Sequence, residues 1–226
     1  MLVHIPAVIS PAQAREFRTA LEAADWTDGR KSAGYLSQSV KNNDQLADAD
    51  PTATRLGETI LKSLEHNPLF TAAALPLKVL PPLFNRYAMS QAYGPHIDGA
   101  IRPVAGTTHR VRTDLSATLF LCEPESYDGG ELVVRHGFGE QSFKLPPGDM
   151  LLYPASSVHH VTPVTRGERL AAFFWIQSMI RDDTERAILF DLDNAIQKIA
   201  RDAAGHSGLV ELAGVYHNLL RRWADA

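Results

Sequence analysis

The spacing of apolar residues changes twice along the chain. Phe17, Leu21 and Ala24, and later Leu56, Ile60, Leu61 and Leu64, recur every three to four positions, the period of a helix with one buried face. Ser10-Pro11 predicts the start of the first helix, with Ser10 as its cap. The second is predicted over Pro51 to Ala74, capped by Asp50, and Ala33 to Val40 between them reads as a short strand. From Lys78 the texture becomes short β-rich runs: Leu83–Ala88, the segment around His96–Asp98, Asp114–Cys122, Glu131–Arg135, Ser142–Leu145, Met150–Tyr153, His160–Val164 and Leu170–Ile176. Turn sequences separate them, among them Asp128-Gly129-Gly130, Gly137-Phe138-Gly139 and Pro146-Pro147-Gly148-Asp149. After Ser178 the helical period returns. Ile188, Leu192, Ala195, Ile196 and Ile199 form one stripe, and Leu209, Leu212, Ala213, Tyr216, Leu220 and Trp223 form a second, with Gly205 between them.

This order predicts a mainly β protein with helical flanks. Many short strands without intervening helices suit an antiparallel sandwich or barrel and disfavour a parallel βαβ sheet. We expect a β domain with N-terminal helices over 1–177 and a helical hairpin over 178–226. The hairpin's apolar stripes suit either a cap over a site or a homo-oligomer interface.

Composition narrows the partners. With 22 basic and 26 acidic residues the net charge is −4, which favours neither nucleic acid nor an anionic membrane. Cys122 is the one cysteine, so intramolecular disulfides and cysteine-rich zinc modules are excluded, and a reducing compartment fits. No apolar run approaches the ~20 residues of a membrane span. The N-terminus has no basic region before its apolar run, so it does not read as a signal peptide. The expectation is a soluble, cytoplasmic protein.

Tyr93-Gly94-Pro95-His96-Ile97-Asp98-Gly99-Ala100 carries the chemistry. If the segment is a strand, His96 and Asp98 point to one face, and taken alone they read as a solvated polar strand face or a His–Asp hydrogen bond. A further histidine pair, His159-His160, follows about sixty residues after Asp98, and Arg169 stands ten residues beyond His159. Two imidazoles and a carboxylate on one side of a metal leave several positions open, the arrangement of non-heme Fe(II) oxygenases. A planar guanidinium suits the carboxylate of a co-substrate.

The constellation resembles the Fe(II)/2-oxoglutarate-dependent dioxygenases, in particular the bacterial PKHD-type (prolyl/lysyl-type) hydroxylases. The resemblance is carried by Asn85-Arg86-Tyr87, His96-Ile97-Asp98, Arg112 to Leu121, Tyr127 to Leu132, Leu152 to His159 and Gly167-Glu168-Arg169. It implies a double-stranded β-helix (jelly roll, cupin-like). It implies that His96, Asp98 and His159 hold Fe(2+) and that Arg169 binds 2-oxoglutarate. The interval to Arg169 favours His159 over His160. Tyr87 either lines the co-substrate pocket or packs in the core. The implied reaction is hydroxylation using O2, with release of succinate and CO2 and with L-ascorbate keeping iron reduced. The presence of Asp98 argues against halogenation, since related halogenases lack this carboxylate. The substrate is peptidyl, amino-acid-like or a small molecule, with a link to iron uptake among the options. A non-catalytic cupin-like metal-binding module would share the triad but would not need Arg169. A zinc hydrolase would need a general base that no spacing signal marks.

Other signals carry less. His109, Arg102, Arg110 and Arg112 either line a substrate mouth that favours anions or form a solvated basic loop. His4, His66, His206 and His217 read as surface or packed residues, and His136 lies beside a loop. Cys122 reads as an inert small residue, and Phe173-Phe174-Trp175 as sheet packing.

Overall fold

The computed structural model describes the chain apart from Ala33, Tyr35, Leu36, Ala105, Phe138 and Ala226. The elements begin with β1 (Val3–Ile5), α1 (Pro11–Glu22), β2 (Thr27–Asp28), β3 (Lys41–Asn42), β4 (Asp44–Gln45), α2 (Pro51–Glu65) and α3 (Pro68–Ala74). The β region follows as β5 (Pro76–Val79), β6 (Leu83–Tyr87), β7 (Ala92–His96), β8 (Ile101–Pro103), β9 (Arg110–Arg112) and β10 (Leu115–Phe120). It continues with β11 (Leu132–His136), β12 (Gly139–Phe143), β13 (Met150–Pro154), β14 (His159–Val161) and β15 (Arg169–Ser178), before α4 (Asp183–Asp202) and α5 (Gly208–Trp223).

Two antiparallel sheets result. The larger runs β1-β13-β10-β15-β6-β4-β2, with β5 also on β15; the smaller runs β12-β11-β14-β7-β3, and β8-β9 is a separate hairpin. Strand alternation sorts the side chains. On β15, Leu170, Ala172, Phe174 and Ile176 join the helix-side core with Leu119, Leu152, Phe17, Leu56 and Ile60. Each buried leucine, isoleucine or phenylalanine among them contributes roughly 1.5–3 kcal/mol of transfer free energy. The opposite face sends Tyr87, Phe120, Leu151 and Tyr153 toward Leu132, Val134 and Val161 of the smaller sheet. The larger sheet is thus covered on both faces, which is why β10 is buried at every position.

The first helix starts as expected. Ser10 and Gln13 form a capping box, and Pro11 occupies the first turn. The second expected helix is two. It breaks at Asn67-Pro68, because proline has no N–H to continue the ladder, and the Asn67 side chain instead accepts from the Phe70 N–H at 2.9 Å. The strand expected over Ala33 to Val40 falls partly on Ala33, Tyr35 and Leu36, outside the described residues. Its remainder, Ser37–Val40, is one 3₁₀ turn, since this polar run lacks an apolar alternation to place it in a sheet. Phe138, within the expected Gly137-Phe138-Gly139 turn, and the His136 side chain also lie outside the described residues.

The C-terminal helices pack on each other and on α3. Leu189 and Ile180 are buried with Leu75, alongside Tyr216, Leu220 and Trp223. Arg186 is 1% exposed, and its Nη1 donates to the Ile180 carbonyl at 2.7 Å, closing the joint between β15 and α4.

Candidate metal and co-substrate site

His96 ends β7 and His159 begins β14, and the sheet register pairs them directly. Between Tyr93↔Val161 and His96↔His159 the register shifts, because three residues on β7 oppose two on β14. Gly94 and Pro95 occupy this bulge, where proline's missing N–H costs no ladder bond. The bulge reverses the alternation, so Tyr93 and His96 share a face and their rings stack 3.6 Å apart. Asp98 lies two residues beyond the strand end. Strand alternation therefore does not place it, contrary to the strand expected there. Ser116 on β10 anchors it instead, donating to Oδ2 at 2.6 Å.

The ligand atoms of His96, Asp98 and His159 lie within 4.8 Å of one another. Backbone carbonyls set both tautomers. His96 Nδ1 sits 2.8 Å from the Gly94 carbonyl and His159 Nδ1 sits 3.0 Å from that of Ser157. A carbonyl only accepts, so each Nδ1 carries the hydrogen and each Nε2 presents a lone pair. His159 Nε2 is 3.7 Å from Asp98 Oδ2. Burial, then the neighbouring His159, lowers His96 to about 4, which keeps it neutral. Burial would raise the Asp98 carboxyl, but His159 and the Ser116 hydrogen bond hold it low. Two imidazoles and one carboxylate form a donor set that fits a divalent transition ion. His160 neighbours His159 on the strand, pairs with Val133 and lies outside the cavity wall.

One cavity of about 570 Å³ is lined by the three ligand residues and by Tyr87 and Arg169. Arg169 opens β15 opposite Tyr87, and both are 1% exposed. The guanidinium carbon lies 5.4 Å from the Tyr87 ring centre and 5.3 Å from that of Phe120. Its Nε and Nη1 have no hydrogen-bond partner, and among the described residues no carboxylate pairs with it. A buried, unpaired cation is costly. A carboxylate entering the cavity would remove that cost, so the residues fit 2-oxoglutarate. Gly130 makes the space, since a Cβ there would come within 3.2 Å of Arg169 Cδ.

Of the basic cluster, only Arg102 lines the cavity. Arg112 clamps Asp114 at 2.6 and 3.0 Å, while His109 and Arg110 are exposed. Cys122 is buried, and its Sγ accepts the Leu170 N–H. Lys41, Tyr93, Tyr153 and Trp175 also line the cavity. The sequence reading did not place them there: Lys41 and Tyr93 sit on short or bulged strands without pattern, and Trp175 reads as core until the sheet faces are known. Among the described residues none of the cavity lining comes from the C-terminal helices.

Residues 82–177 match the 2OG-Fe(II) oxygenase superfamily, and residues 183–225 match the PKHD-type hydroxylase C-terminal domain. PKHD-type hydroxylases of Bordetella pertussis and Burkholderia thailandensis are each 56% identical to the chain, over 225 and 227 residues, with 100% of both chains covered. Among solved structures, a Pseudomonas putida prolyl-4-hydroxylase superposes with a TM-score of 0.54 at 18% identity, covering 78% of this chain and 92% of that one. A Trichoplax adhaerens prolyl hydroxylase in complex with a hypoxia inducible factor peptide fragment gives 0.53 at 11%, covering 83% and 86%. HygX from Streptomyces hygroscopicus, with nickel, 2-oxoglutarate and hygromycin B bound, gives 0.51 at 18%, covering 76% and 81%. At these identities the structures establish a shared fold, the jelly roll.

Proposed function

Because the chain belongs to the PKHD-type hydroxylases, 2-oxoglutarate-dependent dioxygenases of the 2OG-Fe(II) oxygenase superfamily, we propose that His96, Asp98 and His159 hold its iron and that Arg169 binds the distal carboxylate of 2-oxoglutarate. The observation that carries this reading is the Arg169 guanidinium, buried in the triad's own cavity with Nε and Nη1 unpartnered. When bound, Fe(2+) with 2-oxoglutarate and O2 supplies hydroxylation of a C–H bond with release of succinate and CO2.

The chain's own residues do the positioning. The Gly94 and Ser157 carbonyls aim the two Nε2 lone pairs, and Ser116 holds the Asp98 carboxylate toward them. Such outer partners fix ligand orientation and basicity. The fork of Arg169 and the ring of Tyr87 orient the diacid, and the aromatic walls exclude bulk water, which strengthens the charge pairing. We assign ascorbate the role of keeping the iron reduced and place the protein in the cytoplasm, where its single thiol stays reduced. No helix among the described residues is long and apolar enough to cross a membrane. The substrate is a peptidyl, amino-acid-like or small molecule. The outward face of the C-terminal helices, with Ile188, Val210 and Val215 exposed, is the surface for homo-oligomer contacts.

The test is anaerobic titration of Fe(II)-loaded protein with 2-oxoglutarate, following the visible charge-transfer band of the chelate. We expect a saturable band that is lost in His159→Ala and survives in His160→Ala. Arg169→Met should weaken 2-oxoglutarate binding roughly ten- to a hundredfold, the worth of a charge-assisted pair. Iron binding without any band would instead support the metal-binding module.

A further inference from the structure

The cavity has a second cationic pole besides Arg169, made by Arg102 and Lys41. Arg102 lies on β8, paired with Val111 across the hairpin. Val111 is 3% exposed and packs with Leu80, Ala155 and Trp175, which fixes the hairpin on the larger sheet. Thr113 ties its base, donating from Oγ1 to the Gly99 carbonyl at 2.7 Å. Arg102 is thereby laid over Trp175, its guanidinium carbon 3.6 Å from the ring centre. That stacking satisfies the guanidinium's flat face and leaves its N–H edge for an in-plane oxyanion. Among the described residues no carboxylate pairs with Arg102.

Lys41 reaches the same cavity from β3, beside Tyr93. It is 5% exposed and donates to Gln45 Oε1 at 3.1 Å. Burial, and then Arg102, lowers its amine to about 8. Two cations in one half-enclosed space repel each other. Asp98 faces both and offsets part of that repulsion, but as a member of the triad it is committed to the metal, and a further anion between the cations would offset the rest. Arg169 cannot be the group they share. It sits at the start of β15 among Tyr87 and Phe120, whereas Trp175 lies six residues along the same strand, roughly 20 Å at 3.3 Å per residue. Trp175 is paired across the sheet with Ser116, which holds Asp98, so Arg102 stands at the triad's end of the cavity and Arg169 at the other. The rim beside Arg102 is apolar: Ile97 and Ile101 line the cavity and are each 54% exposed.

Resting on the co-substrate reading above, we propose that the primary substrate carries a carboxylate held by Arg102 with Lys41, and an apolar body that covers Ile97 and Ile101. The reacting C–H bond then lies between this carboxylate and the triad, on the side of the cavity away from Arg169.

The test uses protein loaded with Ni(II), which is inert to turnover, and with saturating 2-oxoglutarate. Calorimetric titration compares N-acetyl-leucine and N-acetyl-phenylalanine with their carboxamides, which differ only in the charged group. We expect the acids to bind roughly tenfold or more tightly than the amides. That preference should vanish in Arg102→Met and survive in part in Arg102→Lys, which keeps the charge but not the fork. The 2-oxoglutarate affinity and thermal midpoint of both variants should match the parent. Equal affinity for acid and amide, failure of both acids to bind, or a preference that persists in Arg102→Met would overturn the proposal. Its failure is separable from that of the co-substrate reading, because the latter falls if the chelate band is missing or if 2-oxoglutarate binding ignores Arg169→Met, and neither result depends on Arg102.

Discussion

His159 and His160 are the same residue type one position apart, with different surroundings. Alternation turns one into the space between the sheets, and the Ser157 carbonyl then sets its tautomer. His96 is treated likewise, and its burial has a consequence for pH. An unfolded histidine titrates near 6.5, whereas His96 in the fold stays neutral to about 4. As pH falls below about 6.5 the unfolded chain takes up a proton that the folded metal-free protein refuses. Stability is then full above about pH 6.5 and is lost progressively down to about pH 4. We expect the urea midpoint of the metal-free protein to drop between pH 7 and pH 4.5, and His96→Gln to flatten that dependence. A midpoint equally steep in His96→Gln would assign the effect elsewhere. The residue types and their order, His96, Asp98, His159 and Arg169, were legible because few chemistries use that set. The partners that orient them were not, because Ser116 and the Gly94 and Ser157 carbonyls are ordinary groups until the fold brings them close.

Among the elements, short irregular pieces place the site more than long regular ones. The bulge at Gly94-Pro95 brings Tyr93 onto the His96 face, and no periodicity announces it. The turn Asp128-Gly129-Gly130 was legible as a turn, but its closeness to the loop that follows β14 was not. Gly129 has φ +71, and an added Cβ would meet the Pro163 carbonyl oxygen at 1.9 Å. Gly129→Ala should therefore cost at least about 2 kcal/mol, from left-handed backbone strain plus a contact with rigid main chain. The urea midpoint should fall with an unchanged slope. A loss below about 0.5 kcal/mol would show that the turn relaxes freely. The Asn67-Pro68 break carries the opposite lesson. Its signal was in the sequence, but the apolar stripe of Leu56, Ile60 and Leu64 ran up to it and read as one helix.

In the whole molecule, the larger sheet separates two cores: helices α1 to α3 cover one face, and the site occupies the other. The C-terminal helices dock beside α3 and contribute nothing to the cavity wall among the described residues. On our proposal the hairpin serves a contact between copies, which would cover Val210, 80% exposed on α5. We expect the parent protein to sediment as an oligomer and Val210→Asp to shift it to monomer with 2-oxoglutarate affinity unchanged. A monomeric parent would leave the hairpin as a buttress only. The sequence by itself determined the period of each segment, the absence of disulfides, and which side chains had metal-binding and carboxylate-binding chemistry, since these follow from residue type and local spacing. Only the tertiary structure decided that His96 and His159 pair across two strands, that Asp98 reaches them from beyond a strand end, and that Arg102 and Lys41 converge on the same cavity. Those are contacts between segments far apart in the chain, set by sheet register and by which face each strand buries, and no local pattern encodes them.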